Sequence, residues 1–394
     1  MMALPPNGEF PQNRPRDIGA FRYVPSLTTE QARVSWYYRW PYGYPPGSKY
    51  KLPDLWRPPE RVGFYTPKGG CLMRKQSAWS WTAGAMVLSL GLAVVSAAPA
   101  PQPKVRQASS QLRQPVGAWD ITVQTAQGKA YSWLEIERSG ATLVGRFVGT
   151  VGSVRPISRV EFSQGTLRFT LPPQYEDRDL QFEGRWEGDR LTGTVTGYDA
   201  GVCSWTARRA PSLHRERPPR WGQPRELFNG VSLAGWKPQG GENHWTVKNG
   251  VLRNTGGGAN LVTTEKFNDF KLHVEFRYPA GANSGLYLRG RYEVQIEDDE
   301  GPRPSRYTLG GIYGFFAPCI DTAKKPGEWQ TFDITLVGRM VTVALNGETV
   351  IDRQTIPGIT GGALDCDEGS PGPLMIQGDH GPVEFRKITL TPAL

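Results

Sequence analysis

Cysteine and histidine are both scarce in this sequence, with four residues of each among 394. No Cys-x-x-Cys pair and no Cys/His cluster occurs, which argues against a structural zinc site. Long stretches of helical periodicity are also scarce, whereas 47 glycines and 34 prolines are spread along the chain. These absences argue against a helical or zinc-stabilised fold and favour short strands joined by turns.

Excess positive charge is missing from most of the chain, although the formal net charge is +9. Residues 1–72 hold ten Lys/Arg and five Asp/Glu, and Arg74 and Lys75 add two more positive charges. Only +2 therefore remains for everything after Ala97. Because the basic character lies upstream of the predicted domains, we exclude nucleic acid as a partner.

The first 97 residues differ in composition from the rest. Residues 1–72 are rich in proline and aromatic side chains, which predicts a disordered arm or upstream sequence translated ahead of a natural start at Met73. Residues 73–97 have the pattern of a secretory signal peptide, with two basic residues, an apolar core and small residues at the end. The core is shorter than the roughly 20 residues that a bilayer-spanning helix needs. We expect periplasmic or secreted export and no membrane span after signal removal; an uncleaved anchor is the alternative.

Three cysteines would remain in the exported chain, in surroundings that permit disulfides. Cys319 and Cys366 lie in the same predicted domain and are the plausible pair. Cys203 lies in an earlier domain and is predicted to be a buried thiol.

Residues 116–209 follow a linker at 98–115 and alternate short strand patterns with Gly-rich turns. This spacing predicts a small antiparallel β-barrel of lipocalin-like type. The segment has no histidine, and we find no acid pair in it that indicates a catalytic site. We expect it to bind or position something, or to be purely structural, rather than to catalyse.

Residues 225–394 follow a second linker at 210–224 and hold about a dozen strand candidates with no helix of note. The pair Asn346-Gly347 between two of them is a strong signal for a tight hairpin. The pattern predicts an all-β domain built as a two-sheet sandwich or jelly roll.

Polar side chains alternate with apolar ones along residues 283–298. Because successive side chains of a strand point to opposite faces, the two strands predicted here each have one polar face. The polar positions are Tyr287, Arg289, Glu293, Gln295 and Glu297. A sheet lined with an arginine, acids and an amide suits a polyhydroxylated ligand, and a solvated sheet face is the alternative.

A series of short motifs follows in order along the last domain. They are Leu227-Phe-Asn-Gly-Val-Ser-Leu-Ala-Gly-Trp236, Trp245-Thr-Val-Lys-Asn-Gly250, Leu272-His-Val-Glu-Phe-Arg277, Asn283-Ser-Gly285 with Arg289, Tyr292-Glu-Val-Gln-Ile296, Gly311-Ile-Tyr313, Lys325-Pro-Gly-Glu-Trp329, Leu345-Asn-Gly347, Gln377-Gly-Asp-His-Gly381 and Phe385-Arg386. These motifs resemble the 3-keto-disaccharide hydrolase family over essentially all of residues 225–394. The resemblance implies a concanavalin-like sandwich. The small β domain before it resembles one often found in such exported proteins.

The resemblance also implies a substrate, namely a 3-keto sugar or oligosaccharide. A ketone at carbon 3 acidifies the hydrogen on carbon 2, so loss of that proton gives an enolate. The glycosidic oxygen on carbon 1 can then leave by elimination, and later addition of water gives net hydrolysis. Such a site needs a base, a group that stabilises the enolate oxygen and an acid for the leaving group.

Candidates for these roles come from the family motifs and from strand parity, the rule that every second residue of a strand lies on the same face. We expect His380 or Glu293 to be the base, with Arg289 near the developing oxyanion. Glu275 shares a strand face with His273, and is expected to be the acid or to orient that histidine. The residues expected to hold sugar hydroxyls are His273, Asn283, Gln295, Tyr313 and Gln377. The histidines and acids leave a divalent metal ion open as a cofactor.

Two other functions compete with this one. The run from Glu293 to Glu297 resembles the Glu-x-Asp-x-Glu strand of sandwich-fold β-glucanases, which use two carboxylates on one face. The central aspartate is replaced by Gln295 here, which argues against ordinary retaining hydrolysis. A lectin-like carbohydrate-binding module on the same fold is the alternative outside enzymes.

Overall fold

The computed structural model describes residues 114–198, 201–298, 301 and 303–394. The predictions for residues 1–97, and for the linker up to residue 113, lie outside these ranges. Within them, no helix could cross a bilayer.

The first domain is a closed barrel of eight antiparallel strands in sequential order, with β1 paired to both β2 and β8. The strands are β1 (Gly117–Thr125), β2 (Gly128–Ser139), β3 (Thr142–Val148), β4 (Val154–Ser163), β5 (Thr166–Leu171), β6 (Leu180–Glu187), β7 (Arg190–Thr196) and β8 (Val202–Arg209). Buried aromatic and aliphatic side chains fill the interior, and Phe169 stacks on Phe182 at 4.7 Å between ring centroids. The predicted small barrel is confirmed, and its interior is packed with its own side chains.

The second domain is a sandwich of two antiparallel sheets that share one hydrophobic core. Its strands are β9 (Arg225–Glu226), β10 (Trp236–Gln239), β11 (Trp245–Lys248), β12 (Val251–Asn254), β13 (Asn260–Thr263), β14 (Phe270–Arg277), β15 (Asn283–Leu288), β16 (Tyr292–Glu297), β17 (Gln330–Val337), β18 (Met340–Leu345), β19 (Glu348–Thr355), β20 (Met375–Ile376) and β21 (Val383–Pro392). One sheet has the order β10-β13-β20-β15-β16 and the other β11-β12-β21-β14-β17-β18-β19, with β9 paired to β21. The all-β sandwich prediction is confirmed.

The tight turn predicted at Asn346-Gly347 joins β18 to β19. Both residues have positive φ, 54° and 87°. This left-handed backbone matches the twist of a two-residue hairpin, and asparagine and glycine adopt it with little strain.

The barrel and the sandwich pack directly against each other. Trp133 of β2 is fully buried and belongs to the sandwich core rather than to the barrel interior. Its ring meets Phe315 edge-on at 5.6 Å, and a Cβ on Gly358 would lie 2.2 Å from the indole. The barrel therefore inserts a large side chain into a recess that only glycine leaves open.

The disulfide predicted between Cys319 and Cys366 is absent, so that prediction is wrong. Cys319 Sγ lies 3.5 Å from the Thr349 carbonyl oxygen, next to β19. Cys366 Sγ lies 3.5 Å from Thr122 Oγ1 of the barrel. The sequence placed both cysteines in one domain, but the loop that carries Cys366 faces the barrel. Cys203 is buried in the barrel, as predicted.

Candidate functional site

Most of the residues predicted to form a polar face on β15 and β16 do lie on one face of the sheet. The register pairs Tyr287 with Glu293, Gly285 with Gln295, and Asn283 with Glu297. The intervening apolar residues point into the core that the two sheets share. The polar side chains therefore line the outer face of the five-stranded sheet.

Glu293 occupies a recess created by a glycine on the neighbouring strand. A Cβ at Gly285 would lie 2.2 Å from Glu293 Oε1, so any other residue there would displace the carboxyl group. Glu293 is only 4% exposed. A carboxyl group in such a place must be neutral or strongly stabilised, because burial disfavours its charge.

Residues 356–364, the covering strap, lie over this recess. The Glu293 backbone N–H donates to Thr360 Oγ1 at 3.0 Å, and the Tyr287 hydroxyl donates to the Gly361 carbonyl oxygen at 2.9 Å. From a second loop, the Tyr313 N–H donates to the Glu293 carbonyl oxygen at 3.1 Å. The strap therefore holds the Tyr287 hydroxyl and the Glu293 N–H, and the second loop holds the Glu293 carbonyl oxygen.

Burial is the main cause that raises the pKa of Glu293 to about 8; the charges of Glu297 and Asp379 also raise this pKa, and a hydrogen bond with Tyr287 lowers it. The hydroxyl proton of Tyr287 is donated to the Gly361 carbonyl oxygen. With a pKa of about 8, Glu293 is mainly a neutral acid near pH 7.

His380 stands at the edge of the same face. Its Nδ1 lies 2.7 Å from Asp379 Oδ1, and its side chain is 49% exposed. The hydrogen bond to Asp379 raises the pKa of His380, burial opposes this, and the charges of Asp379 and Glu297 add to the increase. The Gly381 N–H donates to the Asn283 carbonyl oxygen at 2.6 Å, which anchors this loop to β15. A histidine held in this way by a carboxylate is an oriented base.

Amide groups lie between the acid and the histidine. Gln295 Nε2 donates to Glu297 Oε2 at 2.6 Å, and Asn283 Nδ2 reaches Glu297 Oε1 at 3.4 Å. The Oε1 atoms of Gln295 and Gln377 are buried and accept no hydrogen bond from the residues that the structure describes. Tyr313 is partly exposed and meets Tyr307 edge-on at 5.8 Å. The face thus offers the amides, acids and aromatic rings that suit sugar hydroxyls and ring faces.

Arg289 does not join this group, which corrects its predicted place near an oxyanion. Strand β15 ends at Leu288, and Arg289 has a φ of 53°. The turn breaks the alternation on which the prediction depended, and the side chain is fully buried. Its Nη2 donates to Tyr292 Oη at 2.9 Å and lies 3.3 Å from the Gly338 carbonyl oxygen.

His273 and Glu275 share a strand face, as strand parity predicted, but that face is remote from Glu293. They lie on β14 of the eight-stranded sheet and point away from the core. His273 Nδ1 lies 2.8 Å from Asp333 Oδ1, and Glu275 pairs with Arg386. The structure places them on the opposite outer side of the sandwich, so neither is kept in the candidate site.

The prediction missed Asp379 and the covering strap. Asp379 had a signal, because it precedes His380 in the motif Gln377-Gly-Asp-His-Gly381. The strap had none, since no local pattern shows which strand a loop will cover. Across the described ranges, no group of three or more His, Cys, Asp or Glu residues has the arrangement of a metal site.

Known proteins resemble the second domain. Two crystal structures from Parabacteroides distasonis ATCC 8503, both named as presumed glycosyl hydrolases, are 28% and 25% identical to this chain. They cover 46% and 44% of it and 94% and 100% of their own chains, with TM-scores of 0.38 and 0.35. A 3-keto-disaccharide hydrolase from Bacteroides thetaiotaomicron is 28% identical over 165 residues, which cover 32% of this chain. The chain spans 57% of the length of that relative.

The part of the chain that resembles these relatives is the sandwich domain, and the curated relative is named a hydrolase of a disaccharide. More specifically, residues 223–391 match the family model described as the 3-keto-alpha-glucoside-1,2-lyase-like domain. The family resemblance predicted from the sequence motifs is confirmed.

Proposed function

We propose that the second domain cleaves the glycosidic bond of 3-keto-glycosides by elimination across carbons 1 and 2. The relative from B. thetaiotaomicron is named a 3-keto-disaccharide hydrolase, and the matched family is described as lyase-like. Both descriptions fit a reaction that starts with proton abstraction next to a ketone. The residues of the polar face supply a base and an acid for it.

In the proposed reaction His380 is the base. Its neutral imidazole takes the proton from carbon 2, and the C–H electron pair passes to the carbon-3 ketone oxygen as an enolate. Return of that pair forms the double bond between carbons 1 and 2 as the bond from carbon 1 to the glycosidic oxygen breaks. Asp379, at 2.7 Å, stabilises the imidazolium that forms. Water added across the double bond afterwards gives the free 3-keto sugar.

Glu293 is the proposed acid. Its proton passes to the departing glycosidic oxygen, and the carboxylate recovers a proton from solvent after release. A carboxyl group with a pKa of about 8 holds this proton at neutral pH, which an ordinary glutamate would not do. The observation that carries the proposal is the presence, at one sheet face, of a buried glutamate with a pKa raised to about 8 and a half-exposed His–Asp pair.

The test is turnover of three ligands by the full chain: an aryl glucoside, its 3-keto form and a plain disaccharide. We expect release of the aryl alcohol from the keto form alone, with loss of the hydrogen on carbon 2 seen as deuterium exchange in D2O. Cleavage of the aryl glucoside would instead support the two-carboxylate mechanism. Binding measured by calorimetry without any cleavage would support a lectin-like module. Either result would overturn the proposal.

Ordinary two-carboxylate hydrolysis keeps one observation in its favour. Glu293 and Glu297 share a strand face, and the charge of Glu297 raises the pKa of Glu293. An acid beside an ionised carboxylate is the arrangement of a retaining glycosidase. Gln295 between them donates to Glu297 at 2.6 Å, which lowers the nucleophilicity of that carboxylate and favours the keto-sugar reaction.

A further inference from the structure

The loop between β3 and β4 of the barrel, residues 149–153, contacts the covering strap of the sandwich. The Gly362 N–H donates to the Thr150 carbonyl oxygen at 3.0 Å. A Cβ on Gly361 would lie 2.3 Å from the Gly152 carbonyl oxygen, so the two backbones touch. Only glycine allows two backbones to come this close, and the strap therefore packs directly on the barrel.

Gly361 connects this contact to the candidate acid. Its carbonyl oxygen accepts the hydroxyl proton of Tyr287, and Tyr287 is the hydrogen-bond partner of Glu293. The neighbouring Thr360 accepts the Glu293 N–H through its hydroxyl. A continuous set of contacts therefore runs from Gly152 in the barrel, through Gly361 and Tyr287, to the Glu293 carboxyl group.

The barrel loop is itself held in place by side-chain hydrogen bonds. The side-chain amide of Gln174 makes two hydrogen bonds with Ser153. Its Oε1 accepts from the Ser153 backbone N–H at 3.2 Å, and its Nε2 donates to the Ser153 hydroxyl at 3.0 Å. The Ser153 hydroxyl lies 3.3 Å from the hydroxyl of Tyr307. A Cβ on Gly314 would lie 2.9 Å from Ser153 Cβ, so the loop that carries Tyr313 also packs on the barrel.

We propose that the barrel is a structural part of the active site, in which Gly152, Gly361 and Gln174 are positioning residues that hold Tyr287 and Glu293 in their reactive arrangement. The expected effect on catalysis rests on the proposed function. The expected effect on the position and pKa of Glu293 does not. The barrel then has a role other than holding a ligand, which its packed interior fits.

The barrel acts on Glu293 by holding the strap in place, and it adds no charge of its own near the carboxyl group. The titratable groups that act on Glu293 are Tyr287 on β15, Glu297 on its own strand and Asp379 in the His380 loop. None of them belongs to the strap or to the barrel loop. Moving the strap would therefore change the burial of Glu293 and its contact with Tyr287, while leaving the surrounding charges in place.

The test uses the full chain with the variants Gly361→Ala and Gln174→Ala. The first adds a methyl group against Gly152, and the second only removes atoms, so it remains informative should the first fail to fold. The direct readout is the 13C NMR titration of the Glu293 carboxyl carbon, assigned by its loss in Glu293→Gln. We expect the midpoint to move towards that of an ordinary glutamate in both variants. Turnover of the 3-keto substrate should fall about 10- to 100-fold in kcat with little change in KM.

Arg208→Ala is the matched control, because it removes the ion pair with Asp367 at another part of the boundary between barrel and sandwich. We expect it to leave both the Glu293 titration and kcat as in the wild type. Wild-type titration and kcat in folded Gly361→Ala or Gln174→Ala would overturn the proposal, as would an equal shift in Arg208→Ala. Since the titration needs no substrate, it decides the positioning role even if the proposed reaction is wrong.

Discussion

At the residue scale, the proton on Glu293 decides how activity depends on pH. An acid with a pKa of about 8 donates below that pH and loses its proton above it. The activity of the wild type should therefore fall as the pH rises through about 8. Glu293→Gln cannot donate a proton, so we expect kcat to drop by about 10²- to 10⁴-fold and the alkaline fall to disappear. A pH–rate profile on the 3-keto substrate measures both effects, and a variant with wild-type kcat would exclude Glu293 as the acid.

The same substitution should stabilise the fold at high pH. The pKa of Glu293 rises from 4.5 unfolded to about 8 folded, so its contribution to stability is complete below pH 4.5 and is lost as the pH rises through 8. Glutamine mimics the neutral acid at every pH. Urea unfolding should show Glu293→Gln to be more stable than the wild type at pH 9 by about 1–3 kcal/mol, with little difference at pH 5. Equal stability at pH 9 would mean that the glutamate is not held neutral.

Asp379 should control the acidic side of the profile. Its hydrogen bond is the largest cause of the raised pKa of His380, so Asp379→Asn should lower that pKa. A base works only when it is neutral, and the rise of activity with pH should therefore move to lower pH. The weaker base should also reduce kcat by about tenfold or more. An acidic limb left at the wild-type pH would show that another group is the base.

Strand parity predicted the neighbours of Glu293 but not the position of Arg289. Tyr287, Gln295 and Glu297 lie inside regular strands, where alternation holds, whereas Arg289 lies one residue past the end of β15. Parity also put His273 with Glu275 correctly, but a pattern of period two cannot say which sheet a strand joins. The sequence therefore predicts faces of strands, and tertiary pairing decides which faces meet.

At the scale of elements, Gly285 makes room for the acid on the neighbouring strand. Gly285→Ala would put a methyl group 2.2 Å from Glu293 Oε1 and push the carboxyl group out of its recess. We expect kcat to fall about 10- to 100-fold, with stability reduced by about 1–3 kcal/mol. Kinetics and urea unfolding measure the two effects. Gly347→Ala is the control for a glycine substitution away from the site, since it lies in the hairpin turn and its Cβ would meet nothing within 4 Å. Wild-type kcat in Gly285→Ala would show that the space at Gly285 is not needed for the Glu293 carboxyl group.

The strap shows why parts of the site could not be found from sequence. Its residues have no strand or helix pattern, and they matter because of what they cover. Gly358 and Gly361 are each fitted to the barrel, one against Trp133 and the other against Gly152. A glycine in a loop usually predicts a turn, and only the packed structure shows that these two instead allow backbones and rings to approach closely.

At the scale of the whole molecule, a pair of buried acids joins the barrel to the sandwich. Asp120 of β1 is 1% exposed and faces Glu368, which accepts hydrogen bonds from Arg339 and Tyr292. Neither carboxyl oxygen of Asp120 accepts a hydrogen bond from any donor in the described ranges. A protonated Asp120 can donate to Glu368, whereas two ionised carboxylates at this boundary would repel each other.

The acid pair should make the docking of the two domains depend on pH. Burial, followed by the charge of Glu368, raises the pKa of Asp120 from 3.8 to about 8. The folded chain therefore binds a proton that the unfolded chain has lost, and this contribution to stability is complete below pH 4 and is lost as the pH rises through 8. Asp120→Asn keeps a donor for Glu368 and has no proton to lose. We expect it to exceed the wild type in unfolding free energy at pH 9 by about 1–3 kcal/mol, and to match it near pH 4.

Urea unfolding at pH 4, 7 and 9 measures this dependence, and Glu293→Gln separates the two buried acids. Each substitution should remove only part of the decline with pH, and the double variant should remove more than either one, because the two residues lie in separate hydrogen-bond networks. Glu368→Gln should behave differently, since it weakens the bonds from Arg339 and lowers stability at every pH. An unchanged decline in Asp120→Asn would mean that Asp120 is ionised in the folded chain and that the boundary between barrel and sandwich tolerates both charges.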